Sequence, residues 1–249
     1  MRGLRVRALL TDYDGTIAHE GSQRVSSRVP LRVLRPLQRI GSLIPVAIVS
    51  SKDYEFLRPR TPFARAWACV SGLEIRLHDG GSEVGELRGD VERALLELGQ
   101  LCSLFEVELK KIGERAAGLC LDWSHREMPK PSQLWAAISV LRRHGLKVLL
   151  HAHRKYLDAY AGEPDKGRAV ERLKALLGVG QGVLYLGDSE QDNAAFERAD
   201  IGIGVLHGQP AERLRCDYFV RYGQLHLFLR ALLHNGLIFK RDMPGLVRR

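Results

Sequence analysis

Residues 4–10 form an apolar run, with Leu4, Val6, Ala8, Leu9 and Leu10 in it, and it leads into Asp12-Tyr13-Asp14-Gly15-Thr16. Such a run suits a buried strand, so both carboxylates emerge at its carboxyl end. In open α/β sheets ligands bind at that edge. Two carboxylates one residue apart can divide the work, one attacking and the other handling protons. Gly15 lets the chain turn away, and Thr16 offers a hydroxyl or a helix cap. A solvated Asx-type turn is the alternative reading of D-x-D-G.

The pattern after this stretch is strand and helix in alternation. Ser26 and Ser27 can cap a helix carrying Val29, Val33, Leu37 and Ile40, with Pro30 in its first turn and Gly41 at its end. Residues 44–49 read as a second buried strand that stops at Ser50-Ser51-Lys52-Asp53. Strand, helix, strand implies a parallel crossover, which puts Ser50 on the same sheet edge as Asp12. Ser50 can serve there as a helix cap, as a phosphate ligand, or as both.

From about Leu73 the grouping changes. Residues 73–77 and 83–87 flank the turn sequence Asp79-Gly80-Gly81, a helix is expected over 90–104, and strands over 105–111 and 117–123. A helix over 131–144 and a hairpin of 147–151 with 156–160 follow. Helix, strand, strand, repeated twice, packs as a helical layer on an antiparallel sheet. The parallel pattern resumes at Asp165-Lys166-Gly167, with a helix, a strand over 183–186 ending in Gly187-Asp188-Ser189-Glu190-Gln191-Asp192-Asn193, a strand over 201–205 and a last one over 218–220. A helix over 224–234 leads to a basic tail beyond Lys240 that is expected to fray. The fold class is therefore α/β: a Rossmann-like core, its parallel sheet flanked by helices, with an inserted α+β cap. The expected boundaries are 1–78 and 163–249 for the core and 79–162 for the cap.

Composition narrows the function classes. With 45% hydrophobic and 27% charged residues the chain is globular, and 249 residues accommodate two modest domains. No apolar run reaches the length of a membrane span, and the Arg-rich start leads into a strand, so a soluble cytoplasmic protein is expected. The formal charge of +9 favours anionic substrates. Because the basic residues are spread out, without aromatic interleaving, a nucleic-acid partner is not expected. Cys69, Cys102, Cys120 and Cys216 contain no C-x-x-C pair, which predicts reduced thiols.

Four pieces in this order, D-Y-D-G-T, the serine of I-V-S-S-K-D, the lysine of D-K-G and the G-D-S-E-Q-D-N run, closely resemble the haloacid dehalogenase superfamily of phosphotransferases. The resemblance spans residues 5–205 and puts the insert where that superfamily carries its larger cap. That cap type is seen in phosphatases of the trehalose-6-phosphate, sucrose-phosphate and mannosyl-3-phosphoglycerate groups. The resemblance implies Asp12 as nucleophile, Asp14 as acid and base, Ser50 as a donor to the phosphoryl group and Lys166 as its counter-charge. It implies a Mg²⁺ site from Asp12, the backbone carbonyl of Asp14 and Asp188, with Asp192 one layer behind. Capping by Asp192 and a surface role for Lys166 are the structural alternatives.

The implied substrate is a small phosphorylated metabolite, with a trehalose 6-phosphate-like sugar phosphate first. A mannosyl-3-phosphoglycerate-like ester, a phosphomutase reaction and RNA binding on the same fold are the alternatives. Ser51, Lys52, Arg126, Lys155 and Asp158 are the candidate substrate contacts, and Trp123 is a candidate stacking face or a core residue. The cap departs from the trehalose-phosphatase pattern, reading Asp122-Trp123-Ser124 where that group tends to carry His-Tyr-Arg, and Asp158 where a glutamate is usual. His151 and His153 share one strand face and are expected at the surface.

Overall fold

The computed structural model describes residues 3–19, 26–150, 154–208 and 213–248. In chain order the core begins with β1 (Leu4–Arg5), β2 (Ala8–Thr11), α1 (Leu31–Gly41), β3 (Val46–Val49), α2 (Tyr54–Leu57), β4 (Ala66–Cys69), β5 (Glu74–Leu77) and β6 (Ser82–Val84). The insert comprises α3 (Val91–Leu98), β7 (Glu106–Ile112), β8 (Arg115–Asp122), α4 (Pro131–Arg143), β9 (Lys147–Leu150) and β10 (Tyr156–Tyr160). The chain then returns through α5 (Lys166–Leu176), β11 (Val183–Gly187), α6 (Asn193–Phe196), β12 (Ile201–Leu206), β13 (Tyr218–Arg221), α7 (Leu225–His234), β14 (Ile238–Phe239) and β15 (Leu246–Arg248).

One mixed sheet runs in the order β15-β13-β12-β11-β2-β3-β4-β5-β6. The six strands from β13 to β4 are parallel, and the edges β15, β5 and β6 are antiparallel. Side chains alternate across it, as the pleat requires. Leu9 joins Ile48 and Leu184 under α1 and α7, whereas Ala8 and Leu10 join Ala47, Val49 and Tyr185 under α5. Because both faces are covered, the central strands read as continuous apolar runs. No helix among the described residues is long and apolar enough to cross a membrane.

The insert is a four-stranded antiparallel sheet, β7-β8-β10-β9. One face packs Leu119, Leu121, Leu157 and Ala159 against α3 and α4. The other face meets the core, where Ile112, Ala117 and Tyr160 join the cluster under the main sheet. Two linkers connect the layers and bond to one another, the amides of Arg88 and Gly89 both donating to the Ala161 carbonyl at 2.7 and 2.8 Å.

Several details differ from the sequence expectations. The apolar run 4–10 is two strands: β1 pairs with β14 in a separate ribbon, and only β2 enters the main sheet. The boundary expected at residue 79 cuts a hairpin, since β6 pairs with β5 inside the main sheet. The helix expected over 90–104 ends at Leu98, where Gly99 takes a φ of +50°, and continues as a 3₁₀ segment. Extended Pro30 begins α1 with no side-chain cap, and Ser27 is instead buried against the Tyr13 hydroxyl at 3.4 Å. The basic tail does not fray: β15 pairs with β13, whose outer edge would otherwise stay open. All four cysteines are free thiols. His151 and His153 lie outside the described residues.

Candidate active site

Asp12 is the residue after β2, and its amide donates to the Leu186 carbonyl of β11 at 2.8 Å, which extends the ladder by one residue. Its two carboxylate oxygens are separately held: Oδ1 accepts from the Tyr13 amide at 2.7 Å, and Oδ2 lies 3.2 Å from Lys166 Nζ. Lys166 is the first residue of α5, whose start is fixed by the Asp165 side chain accepting from the Arg168 amide. Its buried ammonium also donates to Asp192 Oδ1 at 2.8 Å. It is therefore no surface lysine.

Asp192 is fully buried and saturated with donors. Besides Lys166, Oδ1 accepts from the Tyr185 hydroxyl at 2.7 Å. Oδ2 accepts from the amides of Asp188 and Ser189 at 3.1 and 3.0 Å and from Ser189 Oγ at 3.1 Å. These bonds let Asp192 shape the Asp188 turn; its side chain closes a capping box with Ser189 at the 3₁₀ turn of Glu190–Asp192 and makes no capping bond to α6 itself.

Asp12, Asp188 and Asp192 each bring an oxygen within 4.8 Å of the others. Such crowding carries a cost. Burial raises the Asp12 pKa to about 7, Lys166 opposing and Asp192 adding to the shift. Asp188 is pushed well above the usual carboxylate range, by burial first and then by Asp12 and Asp192. At Lys166 burial acts downward, but Asp12 and Asp192 outweigh it and keep the ammonium charged. The hard oxygen donors and their surplus negative charge fit a divalent cation such as Mg²⁺.

Gly15 allows this packing. Its φ is +72°, and a Cβ there would sit 2.3 Å from Asp188 Oδ2. Thr16 Oγ1 donates to Asp188 Oδ1 at 3.2 Å. Asp14, on the open side of the turn, is partly exposed and lies 3.8 Å from Lys52 Nζ. Burial raises its pKa, and Lys52 pulls it back.

Ser50 follows β3, the parallel neighbour of β2, and is 1% exposed. It caps no helix, since Asp53 takes that role for α2 by accepting from the Phe56 amide at 2.9 Å. Its Oγ accepts from the Lys52 amide at 3.2 Å, which leaves the hydroxyl proton to serve another acceptor. Ser51 is partly buried in the same turn.

The cap contributes a polar sheet face over this edge. Lys52 Nζ bonds both oxygens of Glu108 on β7, at 3.1 and 2.9 Å. Lys110, two residues on, is buried and pairs with Asp158 of β10 while donating to the Tyr160 hydroxyl at 3.3 Å. Arg154, just before β10, reaches Asp188 Oδ2 at 3.4 Å.

Two candidate contacts fall elsewhere. Arg126 is exposed and donates to the Ser103 carbonyl at 3.0 Å. Lys155 is exposed, one position before β10, in the parity of Leu157 and Ala159, which pack toward the helices. Trp123 is 3% exposed and packs on Phe105 with ring centroids 6.0 Å apart, so it fills the cap core and offers no stacking face. Sequence reasoning missed Glu108, Lys110 and Arg154. The signal for the first two was the Glu106, Glu108, Lys110 alternation along one strand face.

This architecture defines a class: the chain has the α/β fold of haloacid dehalogenase superfamily phosphatases, a mostly parallel sheet flanked by helices. No family model and no curated protein matches the sequence. Solved structures do match. The chain is similar to a trehalose-6-phosphate phosphatase related protein, with a TM-score of 0.71 and 16% identity over 92% of this chain and 98% of that one. The C-terminal domain of C. albicans trehalose-6-phosphate phosphatase gives 0.70 and 15%, over 94% of this chain and 93% of that domain. A subclass IIB sugar phosphatase of the superfamily gives 0.64 and 12%, over 94% of this chain and all (100%) of the other.

Proposed function

We propose that this protein is a Mg²⁺-dependent phosphatase acting on a small phosphorylated sugar through an aspartyl-phosphate. The observation that carries the reading is Asp12, whose Oδ1 is anchored by the Tyr13 amide and whose Oδ2 faces Lys166 at 3.2 Å. A carboxylate held this way is oriented to attack phosphorus while its charge is balanced.

In the first half-reaction an Asp12 oxygen bonds to phosphorus as the bond to the sugar oxygen breaks, and Asp14 gives its proton to that leaving oxygen. The upward pull of burial on Asp14 favours the protonated acid this step needs. In the second, Asp14 takes a proton from water, which displaces Asp12 and releases phosphate. The Ser50 hydroxyl and the Lys166 ammonium stabilise charge on the equatorial oxygens. Asp12, Asp188 and the Asp14 backbone carbonyl would hold Mg²⁺, with Asp192 orienting the Asp188 turn. The ion supplies Lewis-acid neutralisation of the phosphoryl oxygens.

A hydroxyl-rich leaving group is supported by the partly exposed Glu108 carboxylate on the cap face, whereas Asp158 is buried and held by Lys110. Trehalose 6-phosphate is therefore the first substrate to assay. A pure RNA-binding role leaves the buried Lys166 pairing with two carboxylates without a use.

A panel of sugar phosphates, phosphoglycerates and a phosphomutase assay, run with Mg²⁺ and with EDTA, tests the reading. Release of phosphate from a sugar ester that EDTA abolishes is expected. Asp12→Asn should lower turnover by at least about a thousandfold and abolish acid-stable phosphoenzyme labelling. Appreciable turnover by that variant would remove Asp12 as nucleophile.

A further inference from the structure

The strands β12, β11 and β2 are adjacent in that order, so a bond from the end of β12 to the turn after β2 must pass over the end of β11, where Asp188 sits. His207, the residue after β12, makes such a bond: its Nε2 meets the Gly15 carbonyl oxygen. A carbonyl only accepts, so Nε2 carries the hydrogen and donates. Tyr222 stacks on a face of the ring at 4.8 Å and 25°, with His19 edge-on to both rings at 6.3 and 5.7 Å.

The bond falls on the softest point of the turn. In Asp12-Tyr13-Asp14-Gly15-Thr16 only Gly15 lacks a Cβ, and its φ of +72° is one that glycine leaves freely. Rotation at Gly15 would swing Thr16 Oγ1 away from Asp188 Oδ1, now 3.2 Å apart, and would disturb the peptide that joins it to Asp14. Burial lowers the His207 pKa, which keeps the ring neutral near pH 7 with one N–H to donate.

We propose that His207 is a positioning residue of the phosphoryl-transfer site, pinning the Gly15 carbonyl so that the Asp12–Thr16 turn and Asp188 stay in register for the metal and the nucleophile. The proposal rests on the phosphatase reading above. It assigns a role to a side chain outside the four sequence motifs.

Two variants of the full chain separate the donor from the ring. His207→Phe keeps a ring on Tyr222 and removes the N–H, whereas His207→Gln keeps an amide N–H and removes the stack. Mg²⁺ affinity is measured by calorimetry, turnover with the best ester of the panel, and the unfolding temperature alongside. His207→Phe is expected to weaken Mg²⁺ binding and lower kcat, each by about tenfold, with KM little changed, and His207→Gln to stay within about threefold of wild type. Wild-type affinity and kcat in His207→Phe, with only the unfolding temperature reduced, would mean a structural role and overturn the proposal. Equal losses in both variants would overturn it too, by crediting the stack. A wild-type protein that binds Mg²⁺ without hydrolysing any ester, while His207→Phe binds it more weakly, would sink the phosphatase reading and leave the positioning role standing. A wild-type protein that binds no Mg²⁺ would sink both.

Discussion

Asp12 carries opposite demands: burial penalises its charge, while the nucleophilic attack proposed for it needs it ionised. In the metal-free protein its pKa is raised to about 7 from 3.8. The folded state therefore holds a proton that the unfolded chain releases, and this contribution to stability fades as pH rises from about 4 to about 7. Asp188, shifted in the same direction, adds to the trend. In EDTA the unfolding temperature is expected to fall from pH 5 to pH 8, and to fall less in Asp12→Asn. Added Mg²⁺ should flatten the wild-type curve by favouring both ionised carboxylates. A curve that rises across this interval, or an identical slope in the variant, would contradict the assigned charge burden. Asp12, Asp14, Ser50, Lys166, Asp188 and Asp192 were legible because each is polar where an apolar strand or a helix start leads to the sheet edge. Glu108 and Lys110 were not, since alternating charge on a strand is also how a solvated face reads. Only Asp158 of β10, two strands away in the same sheet, and the core's Lys52 give those charges their partners.

At the scale of elements, the central strands were legible because both faces are covered and the runs are apolar throughout. The failures lie at edges and joints. β15 has only three residues and an exposed Val247, so neither length nor burial marks it as a strand. The joint after β4 is equally hidden: Val70 and Ser71 take φ of +49° and +55°, a conformation their sequence does not favour. Tertiary bonds hold it, with Ser71 Oγ 2.9 Å from the Tyr160 hydroxyl and the Asp165 amide donating to the Ser71 carbonyl at 2.9 Å. Gly72 completes the joint at φ +92°, where a Cβ would meet the Asp165 carbonyl at 2.8 Å and Ala169 Cβ at 2.9 Å. Gly72→Ala is expected to cost about 3 kcal/mol, strain and overpacking together. Gly80, at φ +99° with open space around it, isolates the first contribution, so Gly80→Ala should cost only about 1 kcal/mol. Urea unfolding of both variants checks the difference, and equal costs would mean that the crowding at α5 is relieved by backbone movement.

Across the whole molecule, core and cap meet through charge as well as apolar contact. Lys52 lies between Asp14 of the core at 3.8 Å and Glu108 of the cap at 2.9 Å, all three partly exposed. An ammonium placed there would link the cap's contact with the core to the protonation of Asp14, the proposed acid, because either carboxylate stabilises it for the other. Glu108→Lys sets two ammoniums face to face. Loss of the pair and the new repulsion are together expected to disfavour the contact of cap with core by about 1 kcal/mol, roughly fivefold in its population ratio. Small-angle scattering should then give a larger radius of gyration than wild type, and kcat/KM should fall by a similar factor. The exchanged pair, Lys52→Glu with Glu108→Lys, restores opposite charge across the gap and should recover the compact form. It should not recover turnover, since a carboxylate at position 52 removes the cation beside Asp14 and raises the acid's pKa further. Recovery of neither would detach the cap's position from this ion pair, and recovery of both would detach turnover from the cation beside Asp14. Recovery of shape alone would identify Lys52 as the residue through which the cap's position reaches Asp14, the proposed acid.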